Sequence, residues 1–151
     1  RDRYKISSSK IRSLIQSGKV KLVSKIMGRP WSITGRVVKG KKFGRRIGFP
    51  TANIKIFNQI KPMFGVYSVK ILFNKKTYKG IANFGVRPTF GSSSPILEVN
   101  VFEKNLNFYN KDIKVLFIDF IRKEKKFKDS TMLVSQIKKD IKVAKISLNK
   151  K

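Results

Sequence analysis

GVYSVKILFNKKTYKGIANF, residues 65–84, sets the fold class. From Gly65 to Phe73 the side chains alternate, and Tyr67, Val69, Ile71 and Phe73 share one face, which is the period of a strand and not of a helix. Asn74-Lys75-Lys76 is a short polar break, and Thr77 to Phe84 resumes the run, so the spacing predicts an antiparallel hairpin.

Working outward, the same period recurs on both sides of this hairpin. Ser32 to Val38 reads as a strand with Ile33, Gly35 and Val37 on one face, and Ala52 to Ile56 as a second. Beyond an irregular loop running from Gly85 to Pro95, Ile96 to Phe102 places Leu97, Val99 and Val101 on one face and Glu98, Asn100 and Phe102 on the other. Lys111 to Phe120 reads as a sixth strand with Ile113, Val115 and Phe117 aligned. Asp129 or Ser130 then caps a helix whose Leu133, Ile137, Ile141, Ala144 and Leu148 recur at helical spacing, and its Lys-rich end from Lys145 is expected to fray. Six strands at hairpin spacing followed by one helix predict a mainly β protein: a six-stranded antiparallel closed barrel with a C-terminal α-helix. Closure removes the sheet edges that so many strands would otherwise expose.

Residues 1–30 read differently. Ser7-Ser8-Ser9 can cap a helix carrying Ile11, Leu14 and Ile15 that stops at Gly18, and Val20 to Met27 forms a second short helix ending at Gly28. The serines, the helix start and Arg12 could instead hold a phosphate, but capping suffices to explain them. The chain starts at Arg1 in mid-pattern, so a longer parent protein is expected.

Composition excludes several chemistries. Cysteine and histidine are both absent, which removes disulfides, thiolate metal sites, Ser-His and Cys-His nucleophiles and imidazole as a general base. Acid–base work is left to a few carboxylates, Lys or Tyr. No apolar run reaches membrane-spanning length, and no signal pattern precedes the first motif, so a cytoplasmic protein is expected. The formal net charge of +28, from 36 Lys and Arg against 8 Asp and Glu, favours anionic partners in general. Only nine of those cations are Arg, and the Lys residues are scattered through the chain, a pattern that biased base composition can also produce.

GKKFGRRIGFPTAN, residues 40–53, concentrates backbone freedom, charge and small polar side chains. Gly40, Gly44 and Gly48 allow close approach of backbone N–H groups to a ligand, Arg45 and its basic neighbours add charge, and Pro50 fixes the entry to Thr51-Ala52-Asn53. This suits a phosphate and metal site, although the spacing alone slightly favours a basic hairpin loop followed by a strand. Neither G-x-x-x-x-G-K-[ST] nor G-x-G-x-x-G occurs, so a Walker loop or a dinucleotide-binding unit is not indicated. Of the carboxylates, Glu98 alone lies in a strand interior directly after a Gly/Ser-rich loop, either as a rigidly held base or as a surface partner of a Lys.

GRRIGFPTANI at 44–54, KPMFGVYSV at 61–69, YKGIANFGVRPTF at 78–90, LEVNVF at 97–102 and FIRKEKKF at 120–127 resemble, in that order, the riboflavin kinase domain of the bacterial bifunctional riboflavin kinase/FAD synthetases. ISSSKIR at 6–12 resembles the last motif of the adenylyltransferase domain of those enzymes, with Ser9 where Thr is usual. The resemblance implies two segments, 1–30 as the helical remnant of an FMN adenylyltransferase domain and 31–151 as a riboflavin kinase domain. The rest of the adenylyltransferase domain is missing from this chain. It implies transfer of the γ-phosphoryl of Mg-ATP to the 5′-hydroxyl of riboflavin, giving FMN, with FAD synthesis confined to the full-length parent. On that family pattern Gly40, Gly44, Arg45, Gly48 and Pro50 belong to a loop over the ATP phosphates, and Thr51 and Asn53 bind the Mg²⁺ complex. Glu98 takes the ribityl hydroxyl proton, and Arg122, in a later loop, helps to form the flavin and nucleotide pocket. Asn100 stands where the family often has His. The other expectations in play are a basic barrel binding RNA or single-stranded DNA, for which the charge and the strand aromatics speak, and a fragment active only when joined to its missing part. No specific nucleic-acid partner is expected on the kinase reading.

Overall fold

The computed structural model describes residues 7–38, 51–56, 59–86, 95–103 and 106–150. Two helices, α1 (Ser8–Gln16) and α2 (Val20–Met27), precede strands β1 (Ser32–Val38), β2 (Thr51–Lys55), β3 (Gly65–Phe73), β4 (Lys76–Val86), β5 (Pro95–Val101) and β6 (Asp112–Lys123), and α3 (Ser130–Asn149) ends the chain. The strands close into an antiparallel barrel in the order β1-β2-β5-β4-β3-β6.

The β3–β4 hairpin is the longest-paired element, in register from Gly65 opposite Phe84 to Phe73 opposite Lys76. Its two-residue turn puts Asn74 and Lys75 at φ 50° and 64°, the left-handed geometry that matches the twist of the flanking strands. Alternation then fills the barrel as the sequence predicts. Tyr67, Val69 and Ile71 meet Ala82 and Phe84 from β4, Leu97, Val99 and Val101 from β5, and Ile113, Val115 and Phe117 from β6. Burial holds the Tyr67 phenol well above its ordinary pKa, and its hydroxyl donates to the Met63 carbonyl at 2.6 Å.

β6 departs from strict alternation. Tyr67 pairs with Phe120 and Val69 with Phe117, so irregularities of register fall between Val66 and Tyr67 and between Ser68 and Val69. These β-bulges let both Phe117 and Phe120 stack edge-on against Tyr67, at centroid distances of 5.0 and 5.2 Å. They also carry the strand on to Lys123, beyond the predicted end at Phe120, and so place Arg122 in β6 and not in a loop.

α3 begins at Asp129, whose side chain accepts from the Met132 N–H at 2.9 Å. Its Ile141 and Ala144 pack on Val66 and Ile81, which point outward from β3 and β4. The expected fraying from Lys145 does not occur: the helix continues to Asn149, with Leu148 buried and Ser147 hydrogen-bonded to Ser68 at 3.0 Å. At the other end of the chain, Ser7 caps α1, and α2 stops at Gly28, which takes φ 77°. Leu14, Ile15 and Val23 pack against Trp31 and Ile60, while Val20 joins the barrel core.

Candidate active site

The outer surface of the barrel is sorted by what covers it. Paired residues in adjacent strands share a face, so the registers define rows of outward side chains running around the barrel. One row is Asn53 on β2, Glu98 on β5, Asn83 on β4, Val66 on β3 and Arg122 on β6. The next is Thr51, Asn100, Ile81, Ser68 and Asp119. α3 lies over Val66, Ile81 and Ser68, which are apolar or hydrogen-bonded to the helix. The residues of these rows on β2, β5 and the adjoining positions of β4 are polar: Thr51, Asn53, Glu98, Asn100 and Asn83 form one patch beside the helix.

Within the patch the structure brings three of the predicted site residues together. Asn53 is directly opposite Glu98, and Thr51, two residues before Asn53 on the same face, is opposite Asn100. Asn100 donates from Nδ2 to Thr51 Oγ1 at 2.9 Å, which fixes the Thr51 rotamer and leaves the hydroxyl proton and one lone pair for another partner. Asn100 therefore positions a neighbouring strand's hydroxyl. Asn53 is buried, and Glu98 is partly exposed.

The strands that carry the patch end close to it on both sides. β1 ends where Val38 pairs with Asn53, and β2 restarts at Thr51, so segment 39–50 leaves and returns at the Thr51 end. Val86 pairs with Pro95 at the opposite end, where segment 87–94 leaves and returns. Gly40, Gly44, Arg45, Gly48 and Pro50, assigned by resemblance to the phosphate loop, lie outside the described residues. Beside the second connection, a Cβ on Gly85 would collide with the Glu124 carboxylate, so the glycine makes room for a second acidic side chain on this face.

Arg122 is in the same outward row as Glu98 but three strands away, roughly 14 Å at the usual strand spacing. Its guanidinium is committed elsewhere. Nε donates to both oxygens of Asp140 at 2.9 and 3.0 Å, one terminal nitrogen to Asp140 Oδ2 at 2.8 Å, and the other to the Lys123 carbonyl at 3.0 Å. Gln136 adds a bond to Asp140 at 2.9 Å. Arg122 thus clamps α3 to β6 and does not join Thr51, Asn53 and Glu98. Sequence reasoning missed Asp140, whose partner lies 18 residues away on a different element, and it passed over Asn83. The signal for Asn83 was its place in a strand interior, where Asn is depleted.

The donor set bears on which metal could be held. Among the described residues there is no group of three or more His, Cys, Asp or Glu able to enclose an ion. Thr51 and Asn53 offer neutral oxygens next to one carboxylate, which fits a hard cation that keeps waters and takes further oxygens from phosphates, as Mg²⁺ does. Among the described residues no helix is long and apolar enough to cross a membrane.

Known proteins share both the sequence and the fold of this chain. The family model described as "Flavokinase: Riboflavin kinase" matches residues 27–148. Bifunctional riboflavin kinase/FMN adenylyltransferases are 44% identical in Buchnera aphidicola of Schizaphis graminum, over 99% of this chain and 49% of the relative, and 44% identical in Bacillus subtilis, over 90% and 44%. The chain spans about half the length of the curated relatives it matches. Among solved structures, one described as a macrolide-efflux protein from Streptococcus pneumoniae superposes at TM-score 0.82 with 37% identity, over 93% of this chain and 47% of the other. The riboflavin kinase from Trypanosoma brucei superposes at TM-score 0.56 with 23% identity, over 80% and 81%, and so shares the fold. The family match over 27–148, with these relatives and a closed six-stranded barrel, shows that the chain belongs to the flavokinase (riboflavin kinase) family.

Proposed function

We propose that this chain is an ATP:riboflavin 5′-phosphotransferase of the cytoplasm, working at the outward patch of Thr51, Asn53 and Glu98. The observation that carries the reading is the register that sets Asn53 directly opposite Glu98 with Thr51 beside them, because it puts metal- and phosphate-type oxygens next to a carboxylate. Phosphoryl transfer needs alignment and charge neutralisation more than covalent chemistry, and a site without histidine can supply both.

In the proposed reaction the riboflavin 5′-oxygen forms a bond to the γ-phosphorus of ATP while the bond from that phosphorus to the β–γ bridging oxygen breaks, releasing ADP. The hydroxyl proton passes to the Glu98 carboxylate, which β5 holds between two strands. Thr51 and Asn53 would hold Mg²⁺ with the ATP phosphates, where it offsets charge on the transferring group. Asn100 keeps Thr51 in the orientation this requires.

The same reading assigns residues 1–30 to the end of an FMN adenylyltransferase domain and 31–151 to the kinase domain. The bifunctional relatives are about twice as long as this chain, which supports a parent that also converts FMN to FAD. The adenylyl step is not expected from this chain, since two short helices cannot enclose ATP and FMN and align them. The test is to incubate the purified chain with riboflavin and Mg-ATP and separate the flavins by chromatography. FMN is expected; unchanged riboflavin would remove the assignment.

A further inference from the structure

Asn83 stands directly opposite Glu98 in the β4–β5 ladder, on the side away from Asn53. Its Oδ1 is buried and has no hydrogen-bond partner, which holds for no other side-chain atom among the described residues. A buried acceptor left unpaired destabilises the fold, and an apolar residue at this strand position would remove that cost. The next residue in the row shows as much: Val66 is apolar and packs under α3. A polar side chain kept at a cost beside a candidate base is explained when its partner comes from outside the chain.

We infer that Asn83 is a specificity-determining residue whose Oδ1 accepts a hydrogen bond from a secondary hydroxyl of the substrate's polyol chain. The inference rests on the phosphotransfer reading above and gives the substrate a direction. Asn53 and Thr51 take the phosphate side, Glu98 meets the reacting primary hydroxyl, and the rest of the substrate must run the other way, toward Asn83. Adjacent strands are about 4.8 Å apart. A hydroxyl one or two carbons from the reacting one reaches across a gap of that size. The site would then recognise an alcohol by its neighbouring hydroxyl as well as by its flavin ring, and reject chains that carry only the terminal hydroxyl, because those leave the acceptor orphaned.

The test compares riboflavin with a flavin whose ribityl chain is replaced by 5-hydroxypentyl, which keeps the terminal hydroxyl and lacks the others. The readout is the ratio of kcat/KM for the two flavins in the wild-type chain, in Asn83→Leu and in Asn83→Ala. Alanine serves where leucine disturbs the strand, and ligand-free thermal melting checks that each variant folds. The wild type is expected to prefer riboflavin, and both variants to lose about 10- to 100-fold of that preference, as the loss of one hydrogen bond to a buried acceptor implies. A ratio preserved in a folded variant, or a wild type without preference, overturns the inference and leaves the kinase reading standing. A wild type that makes no FMN overturns both.

Discussion

At the residue scale the site depends on alternation along β5. Because Leu97, Val99 and Val101 fill the barrel, Glu98 and Asn100 must face out, and the ladder with β2 hands each a polar partner. The contact between Asn100 Nδ2 and Thr51 Oγ1 is short and connects two strands, so its loss should be felt in the use of nucleotide. Asn100→Leu is expected to raise the KM for Mg-ATP by about 2- to 10-fold, the range of one neutral hydrogen bond, with a smaller effect on the KM for riboflavin. Thr51→Val removes the hydroxyl itself and should weaken Mg-ATP use at least as much; steady-state kinetics at varied Mg-ATP decides both. Equal effects on the two substrates would place Thr51 and Asn100 away from the phosphates. The face of Glu98 was legible in the sequence because it follows from period two. The meaning of Asn100 was not, since its hydrogen bond depends on a register between strands 49 residues apart.

At the element scale the relation of α3 to the barrel decides which outward residues remain available. The helix covers the β3 and β4 positions that are apolar and ends where Thr51, Asn53, Glu98, Asn100 and Asn83 begin. Its attachment runs through Arg122 and Asp140, with side-chain exposures of 14% and 4%, so a lost partner would not be replaced by water. Asp140→Ala should destabilise the fold by about 3–5 kcal/mol, the cost of stranding one member of a buried pair, as read by equilibrium denaturation. A change well under that range would mean that Ile141, Ala144, Leu148 and the Ser147–Ser68 hydrogen bond hold α3 without the ion pair. The hairpin and the helix stripe could be read in advance because each keeps its own period. The end of β6 could not, because two bulges break that period and bring Phe117 and Phe120 to the same side. The helix end was misread for a related reason: Lys145 and Lys150 argue for solvent, but Ser147 and Leu148 between them make the contacts.

For the whole molecule, charge and function point different ways. A formal net charge of +28 will draw polyanions whatever the site does, through counterion release and with no demand on sequence. Binding of the chain to random-sequence RNA or single-stranded DNA is therefore expected to be weak and to fall steeply between low and physiological salt. Sequence-selective binding that survives physiological salt, measured by fluorescence anisotropy, would promote the nucleic-acid reading over phosphotransfer. The central claim is that the row through Asn53, Glu98 and Asn83 is where a phosphoryl group passes to a flavin. The most direct measurement gives the wild-type chain and Glu98→Gln riboflavin with Mg-ATP labelled at the γ-phosphate, and follows the label. The label should pass into FMN with the wild type and about 10²- to 10⁴-fold more slowly with the folded Glu98→Gln chain, the usual contribution of a general base. Label transfer at the wild-type rate by Glu98→Gln, or none by the wild type, would contradict the claim.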